Sequence, residues 1–285
     1  MFVGIVGLGM VGASLSKAIK LKTEHRVLGT DKNNDVDIRA KVLRVIDERL
    51  GYDNISKCEI ILLCLYPHDT VNYLQDHCNM INPDTIVIDC CGVKQNICKK
   101  AFEIAEKSRF TFIGGNPMVD TEKWGFENSK HTLFDGASMV LTPPVNISIG
   151  ELDKVKNLFT RIGFSNIEIC SPREHDRIIA HTTQLPNIIS SAYVKSDTAR
   201  EHYGLSAESF RSFSRLSEQN EKLWSELLFE NKPAILKELD DLIENLTRYK
   251  AALSDGNQTA LERLLREGRE KKEYIDGKET VFWKK

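Results

Sequence analysis

The sequence lacks any apolar stretch near the length of about eighteen residues that a membrane-spanning helix needs, which excludes an integral helical membrane protein. Neither sign of charge dominates. The 39 Lys and Arg stand against 41 Asp and Glu, a formal net charge of −2, so no surface suited to nucleic acid or to a membrane is expected. Cys-x-x-Cys pairs are missing. The seven cysteines, at 58, 64, 78, 90, 91, 98 and 170, are odd in number and lie mostly in or beside apolar runs. That usage predicts buried, reduced thiols and no metal site. No internal repeat or low-complexity segment interrupts the chain. A charged leader is also missing, because the first residues already read as a strand, and the expected location is the cytoplasm.

What is present is a globular composition, 41% apolar and 28% charged over 285 residues, enough for about two domains. Its most informative stretch is Gly7-Leu8-Gly9-Met10-Val11-Gly12, set between the apolar run Phe2–Val6 and the helical pattern Ala13–Ile19. Strand, glycine turn and helix in that order put helix-terminal N–H groups against a pyrophosphate. A second apolar run, Arg26–Thr30, ends in Asp31, nineteen residues after Gly12, where a carboxylate accepts from the adenosine ribose hydroxyls. Asp31 repels a 2′-phosphate and Lys32 compensates only weakly, so NAD is the expected cofactor. Gly7, Gly9, Met10, Val11, Gly12 and Asp31 are its expected contacts. The competing explanation is a structural glycine turn in another α/β protein.

Further β-rich runs follow at Glu59–Leu65, Thr85–Asp89, Phe110–Ile113 and Ala137–Leu141, alternating with helical patterns. This rhythm predicts an α/β fold with a parallel sheet buried on both faces. Ligands of such sheets bind at the carboxyl ends of strands, which directs attention to Tyr66-Pro67-His68, Cys90–Lys94 and Gly114–Met118. Strand signals stop near Cys170 and helical patterns take over. The expected organisation is a Rossmann-like nucleotide-binding domain over residues 1–168 and an all-α domain over 169–285. On the helix opening at Pro172, the residues Arg177, His181, Gln184, Asn187 and Ser191 form a polar stripe at helical spacing, either an exposed face or the wall of a cleft. Pro186 is expected to kink that helix.

Several segments together resemble the prephenate/arogenate dehydrogenases of tyrosine biosynthesis, in the family's order and spacing over nearly the whole chain. They are the glycine stretch through Leu15, Asp89–Lys94, Gly114–Met118 with Thr121-Glu122, Leu141-Thr142-Pro143, Glu174-His175-Asp176-Arg177, and Arg215 followed nine residues later by Trp224. The resemblance implies a Rossmann-like domain, a helical dimerisation domain with the active site between them, a homodimer, and a cyclohexadienyl carboxylate as small-molecule substrate. The reaction it implies is an oxidative decarboxylation: hydride leaves C4 of the ring for the nicotinamide, a base takes the hydroxyl proton, and loss of CO₂ makes the ring aromatic. Arg215 matches the family's substrate-binding arginine and Glu122 its acidic residue beside the pocket; Gln184 and Asn187 fall where the family usually has further histidines.

The departures fall on the chemistry. Where the family reads His-Pro-Met-Ala-Gly this chain reads Asn116-Pro117-Met118-Val119-Asp120, and Gly92 stands where many members have Ser. An amide cannot take a proton at neutral pH. Candidates for a replacement base are His181, Asp120, and Lys94 if burial lowers its pKa. Each also has a plain alternative: a helix-face imidazole, a solvated loop carboxylate, and a cation steadying cofactor or substrate charge. His175 and Asp176, at a helix start, suit a capping or inter-domain role. The changes leave open a dehydrogenase acting on a different alcohol in a specialised pathway, or a catalytically silent protein that binds NAD or an aromatic ligand.

Overall fold

The computed structural model describes residues 1–119 and 124–282, the side chains of 278–282 excepted. It contains two compact units, residues 1–234 and 235–285. In the first, chain order runs β1 (Phe2–Val6), α1 (Met10–Lys22), β2 (Arg26–Thr30), α2 (Asn34–Val42), β3 (Glu48–Arg49), β4 (Ile60–Leu63), α3 (Pro67–His77), β5 (Ile86–Asp89), α4 (Gln95–Ser108), β6 (Thr111–Met118), β7 (Ser138–Thr142), α5 (Ile149–Ile162) and β8 (Asn166–Ile169). The strands form one eight-stranded sheet in the order β3-β2-β1-β4-β5-β6-β7-β8. Strand order reverses at β1, whose neighbours are β2 and β4, and this reversal opens a crevice beyond its carboxyl end.

The apolar runs are continuous because both sheet faces are covered. Along β4, Ile60 and Leu62 pack into one core layer with Leu15 and Ile19 of α1 and Phe159 of α5. Ile61 and Leu63 pack into the other with Leu74 of α3 and Ile97 of α4. The period-2 alternation of a strand thus feeds two cores, which is what a run without polar interruption requires.

Two sequence expectations need correction here. The sheet is not wholly parallel: β7 runs antiparallel to β6, pairing Gly114 with Thr142 and Asn116 with Val140. Gly114–Met118 therefore lies inside β6, not in a loop beyond it. Glycine is used there for close approach: a Cβ on Gly115 would sit 2.5 Å from the Asp89 carbonyl oxygen, and one on Gly114 would strike the Thr142 hydroxyl. The short or half-exposed strands β3 and β8 carry too little apolar patterning to be anticipated.

Beyond the sheet come α6 (Pro172–Ile179), a π-helical turn (Ala180–Gln184), α7 (Leu185–Tyr193), α8 (Glu208–Ser214) and α9 (Glu221–Glu230). Ser171 caps α6 by accepting from the Glu174 N–H, with Pro172 in the first turn. The irregularity expected at Pro186 is the π turn just before it, and Pro186 sits in the first turn of α7 where its missing N–H costs least. The wide turn breaks the phase of the polar stripe: Arg177 and His181 are exposed, whereas Gln184 and Asn187 are buried. In the second unit, α10 (Lys232–Ser254) and α11 (Gln258–Phe282) are tied by Arg248 to Glu267 at 2.9 Å and by the Tyr249 hydroxyl donating to the Leu264 carbonyl at 3.1 Å. Ile243, Leu246, Leu253 and Leu265 remain exposed on these helices. No described helix is long and apolar enough to cross a membrane.

Candidate active site

The glycine turn is shaped by contacts that exclude side chains. Gly7 has φ +87° and donates to the Thr30 carbonyl at 2.8 Å, and a Cβ on Gly12 would fall on the Gly7 carbonyl oxygen. Gly9, the N-cap of α1, differs: a Cβ there meets nothing within 4 Å. No side chain caps α1 and no acidic residue occupies its first turn, formed by Met10 and Val11, so its N–H groups and positive dipole end are left for an anion. Half-buried Asp31, at the end of β2, accepts from the Leu8 N–H at 2.8 Å and from the Asn33 N–H at 2.9 Å. A carboxylate has about four lone-pair positions, so capacity remains for a vicinal diol.

A groove of about 950 Å³ runs past Gly7, Asp31, Tyr52, Asp69, Tyr73 and His77. Tyr73 and His77 stack with centroids 4.0 Å apart, and Tyr52 and His77 at 5.7 Å, a flat wall that sequence reasoning missed. Tyr73 and His77 lie one turn apart on α3, but Tyr52 comes from the loop after β3 and only the fold brings it alongside. An uncapped helix end, open space at Gly9, a carboxylate at the end of β2 and a flat aromatic wall are the donor set that a nicotinamide dinucleotide needs, so the residues present fit NAD.

A second cavity, of about 460 Å³, is lined by Gly92 beyond β5, Asn116 and Met118 of β6, Gln184 of the π turn, and Trp224 and Leu227 of α9. Asn116 is 8% exposed, and its Nδ2 donates to His175 Nε2 at 3.0 Å. Nδ1 of His175 faces Asp176 Oδ1 at 2.7 Å. The Asp176 carboxylate in turn accepts the Lys94 N–H at 2.7 Å and the Gln95 N–H at 2.8 Å, capping α4 across the fold. Burial pushes the His175 pKa down and outweighs the hydrogen bond to Asp176 that pulls it up, so the imidazole is neutral.

Of the other sequence-predicted catalytic and substrate residues, Gln184 lines this cavity and the rest of those described do not. Lys94 is fully buried, with Nζ paired to Asp89 Oδ2. Desolvation lowers its pKa, but the charge of Asp89 and the hydrogen bond to it more than reverse that and raise it. The expectation that burial makes Lys94 a base is therefore corrected, because its counter-ion is buried with it. Gln184 lines the cavity but is engaged at both ends, donating to the Leu227 carbonyl at 3.0 Å and accepting from Asn231 Nδ2 at 2.7 Å. Asn187 donates to the Thr183 carbonyl at 2.7 Å and accepts from Gln219 Nε2 at 3.1 Å, outside the cavity lining. His181 and Arg215 are exposed and do not line it either. Glu122 and Asp120 lie outside the described residues. The structure thus gathers Gly92, Asn116, Gln184 and Trp224, and adds His175 behind Asn116.

A doubly wound sheet with an open glycine turn under an uncapped helix, and a carboxylate closing the neighbouring strand, defines the NAD-dependent dehydrogenases. Within that class the chain belongs to the prephenate dehydrogenase family. Residues 15–168 match the family's nucleotide-binding domain and residues 171–267 its dimerization domain. The chain is 27% identical to the prephenate dehydrogenase of Bacillus subtilis (strain 168) over 282 residues, covering 96% of this chain and 75% of that one. It is 26% identical to the cyclohexadienyl dehydrogenase of Zymomonas mobilis over 263 residues, covering 88% of each. Among solved structures, Synechocystis arogenate dehydrogenase superposes with a TM-score of 0.80 at 26% identity, covering 96% of this chain and 100% of that one. The fold is also shared with prephenate dehydrogenase from A. aeolicus, solved with hydroxyphenyl propionate and NAD⁺, at a TM-score of 0.85 and 24% identity, over 96% and 98% of the two chains.

Proposed function

We propose that the protein oxidatively decarboxylates prephenate or arogenate as a cytoplasmic homodimer in tyrosine biosynthesis. Residues 1–168 form its nucleotide domain and 169–285 its helical dimerisation and substrate domain. Bound NAD supplies the hydride acceptor. Gly7, Gly9, Gly12 and the first turn of α1 at Met10 and Val11 receive the pyrophosphate, and Asp31 receives the adenosine ribose. Arg215 and Glu122 act at the polar groups of the substrate, Arg215 as the cation for a carboxylate. Gln184 lines the substrate pocket, and Asn187, held by Gln219, supports it from outside that lining.

The observation that carries the reading is Asn116, which lines the cavity with its Nδ2 spent on His175, and which the motif resemblance matches to the family's histidine. Its Oδ1 is the end left to accept the substrate hydroxyl hydrogen and orient the C–H bond that breaks. An amide does not take the proton, which leaves to solvent as hydride departs, and CO₂ loss follows. Without a general base the rate is about 10² to 10⁴ below that of a histidine enzyme. Steady-state NADH formation with prephenate and with arogenate tests the reading; turnover of neither removes the substrate assignment.

One observation favours a second reading. Among the described residues, no ionisable side chain lines the cavity. That suits an alcohol whose oxidation needs no strong base, or a ligand that is bound without hydride transfer. Thermal stabilisation by an aromatic carboxylate in the absence of NADH formation distinguishes the silent binder from either enzyme.

A further inference from the structure

The Asn116 amide is one of the few groups in the second cavity whose orientation decides what that cavity can recognise. An amide presents an acceptor at one end and donors at the other, and only its partners fix which end faces a ligand. Its partner here is His175, 2% exposed, and the imidazole is itself fixed from behind. Asp176 Oδ1 stands 2.7 Å from Nδ1, and that carboxylate is held by the Lys94 and Gln95 N–H groups. Asp176 is held a third time where its own carbonyl accepts from Asn231 Nδ2 at 2.8 Å. Nδ1 therefore carries the hydrogen it donates to Asp176, Nε2 carries a lone pair, and only the Nδ2 end of Asn116 can satisfy that lone pair.

We propose that His175 is a positioning residue: by accepting from Asn116 Nδ2 it turns Oδ1 to the cavity, making the site a receptor for a hydroxyl that donates, and on protonation it reverses the amide. The claim rests on the reading that Asn116 meets the substrate hydroxyl. With a proton on Nε2 the imidazole becomes a donor at both nitrogens, so the Asn116 amide rotates, Oδ1 turns to His175 and NH₂ turns to the cavity. The substrate hydroxyl then meets a donor and loses the acceptor that oriented its hydrogen.

The charged groups facing His175 are Asp176 from its own helix, Asp89 from the end of β5 and Lys94 from the start of α4. Asn116 of β6 and Asn231 beyond α9 are uncharged neighbours. Burial, aided by the Lys94 charge, keeps the imidazole neutral against the two carboxylates, which is the state the orientation requires.

Nitrogen-15 spectra of the intact protein, assigned with His175→Gln and Asn116→Asp, test this without reference to any substrate. The expected result is a protonated Nδ1 and bare Nε2 at neutral pH, and an Asn116 NH₂ resonance that moves with the same midpoint as His175. A protonated Nε2 at neutral pH, or an Asn116 resonance indifferent to His175, overturns the proposal. In turnover assays kcat/KM falls about tenfold per pH unit below that midpoint. His175→Gln, which offers a non-titrating acceptor, is expected to retain about tenfold more kcat than His175→Phe and to lose the acidic fall. Equal losses in the two variants contradict the proposal. If neither prephenate nor arogenate is turned over, the functional reading fails while the spectra still decide the role of His175.

Discussion

Lys94 and Asp89 form an ion pair completely withdrawn from solvent at the carboxyl end of β5. Asp89 also accepts from the Gly115 N–H at 3.1 Å and the Cys91 N–H at 3.0 Å, so the pair fastens β5 to β6 directly behind Asn116. Removing one partner strands the other charge in the core. Lys94→Met is expected to cost about 3–5 kcal/mol, whereas replacing both residues by apolar ones of similar volume costs much less. Urea denaturation of the single and double variants measures the difference, and equal destabilisation by both contradicts the assignment of an uncompensated Asp89.

The second and third glycines of the turn separate folding from cofactor binding. A Cβ on Gly12 collides with the Gly7 carbonyl, so Gly12→Ala lowers stability as well as NAD affinity. Gly9→Ala meets no protein atom within 4 Å and its backbone, at φ −67° and ψ −164°, suits alanine. It is expected to keep the wild-type melting temperature while raising the NAD Kd about tenfold or more, a loss near 1.4 kcal/mol. Thermal unfolding with and without NAD checks both variants.

What could be read from the sequence was local. Strand β1, the glycine turn, β2 and Asp31 follow one another within about thirty residues, and each declares itself by run length or residue type. The site's other half depends on contacts made over long separations. Gly114–Met118 has loop-like composition because β7 and the β5 carbonyl crowd it, a reason visible only once those elements are in place. Asn116 and His175 are 59 residues apart, and nothing in either segment announces the other. For Lys94 the burial was foreseeable but not the carboxylate buried with it. The π turn shifts the helix phase by one residue, so Asn187 is turned out of the cavity lining, and Gln184, which stays in it, has both amide ends engaged by protein.

His175 also carries a stability signature. Its pKa lies below the ordinary value of 6.5 in the folded protein, so the unfolded chain binds the extra proton first. Stability therefore declines as pH drops through 6.5 towards the folded-state pKa, and is regained as pH rises. Denaturation midpoints at pH 5.5 and 7.5 should differ more for wild type than for His175→Gln. The carboxylates of Asp47, Glu59 and Glu151, all depressed, add their own loss only at lower pH, below the usual carboxylate range.

A missing base is the central claim about the chemistry, and Asn116→His supplies one. Serine is expected to be tolerated at Gly92, whose added Cβ meets Leu227 at an ordinary 3.5 Å, so the histidine can be introduced alone or with Gly92→Ser. The most direct test is NADH formation from prephenate and from arogenate by wild-type protein and by Asn116→His under saturating NAD. The account predicts slow turnover by the wild type and an increase of about 10² or more in kcat for the variant. Turnover of neither substrate by either protein would contradict it.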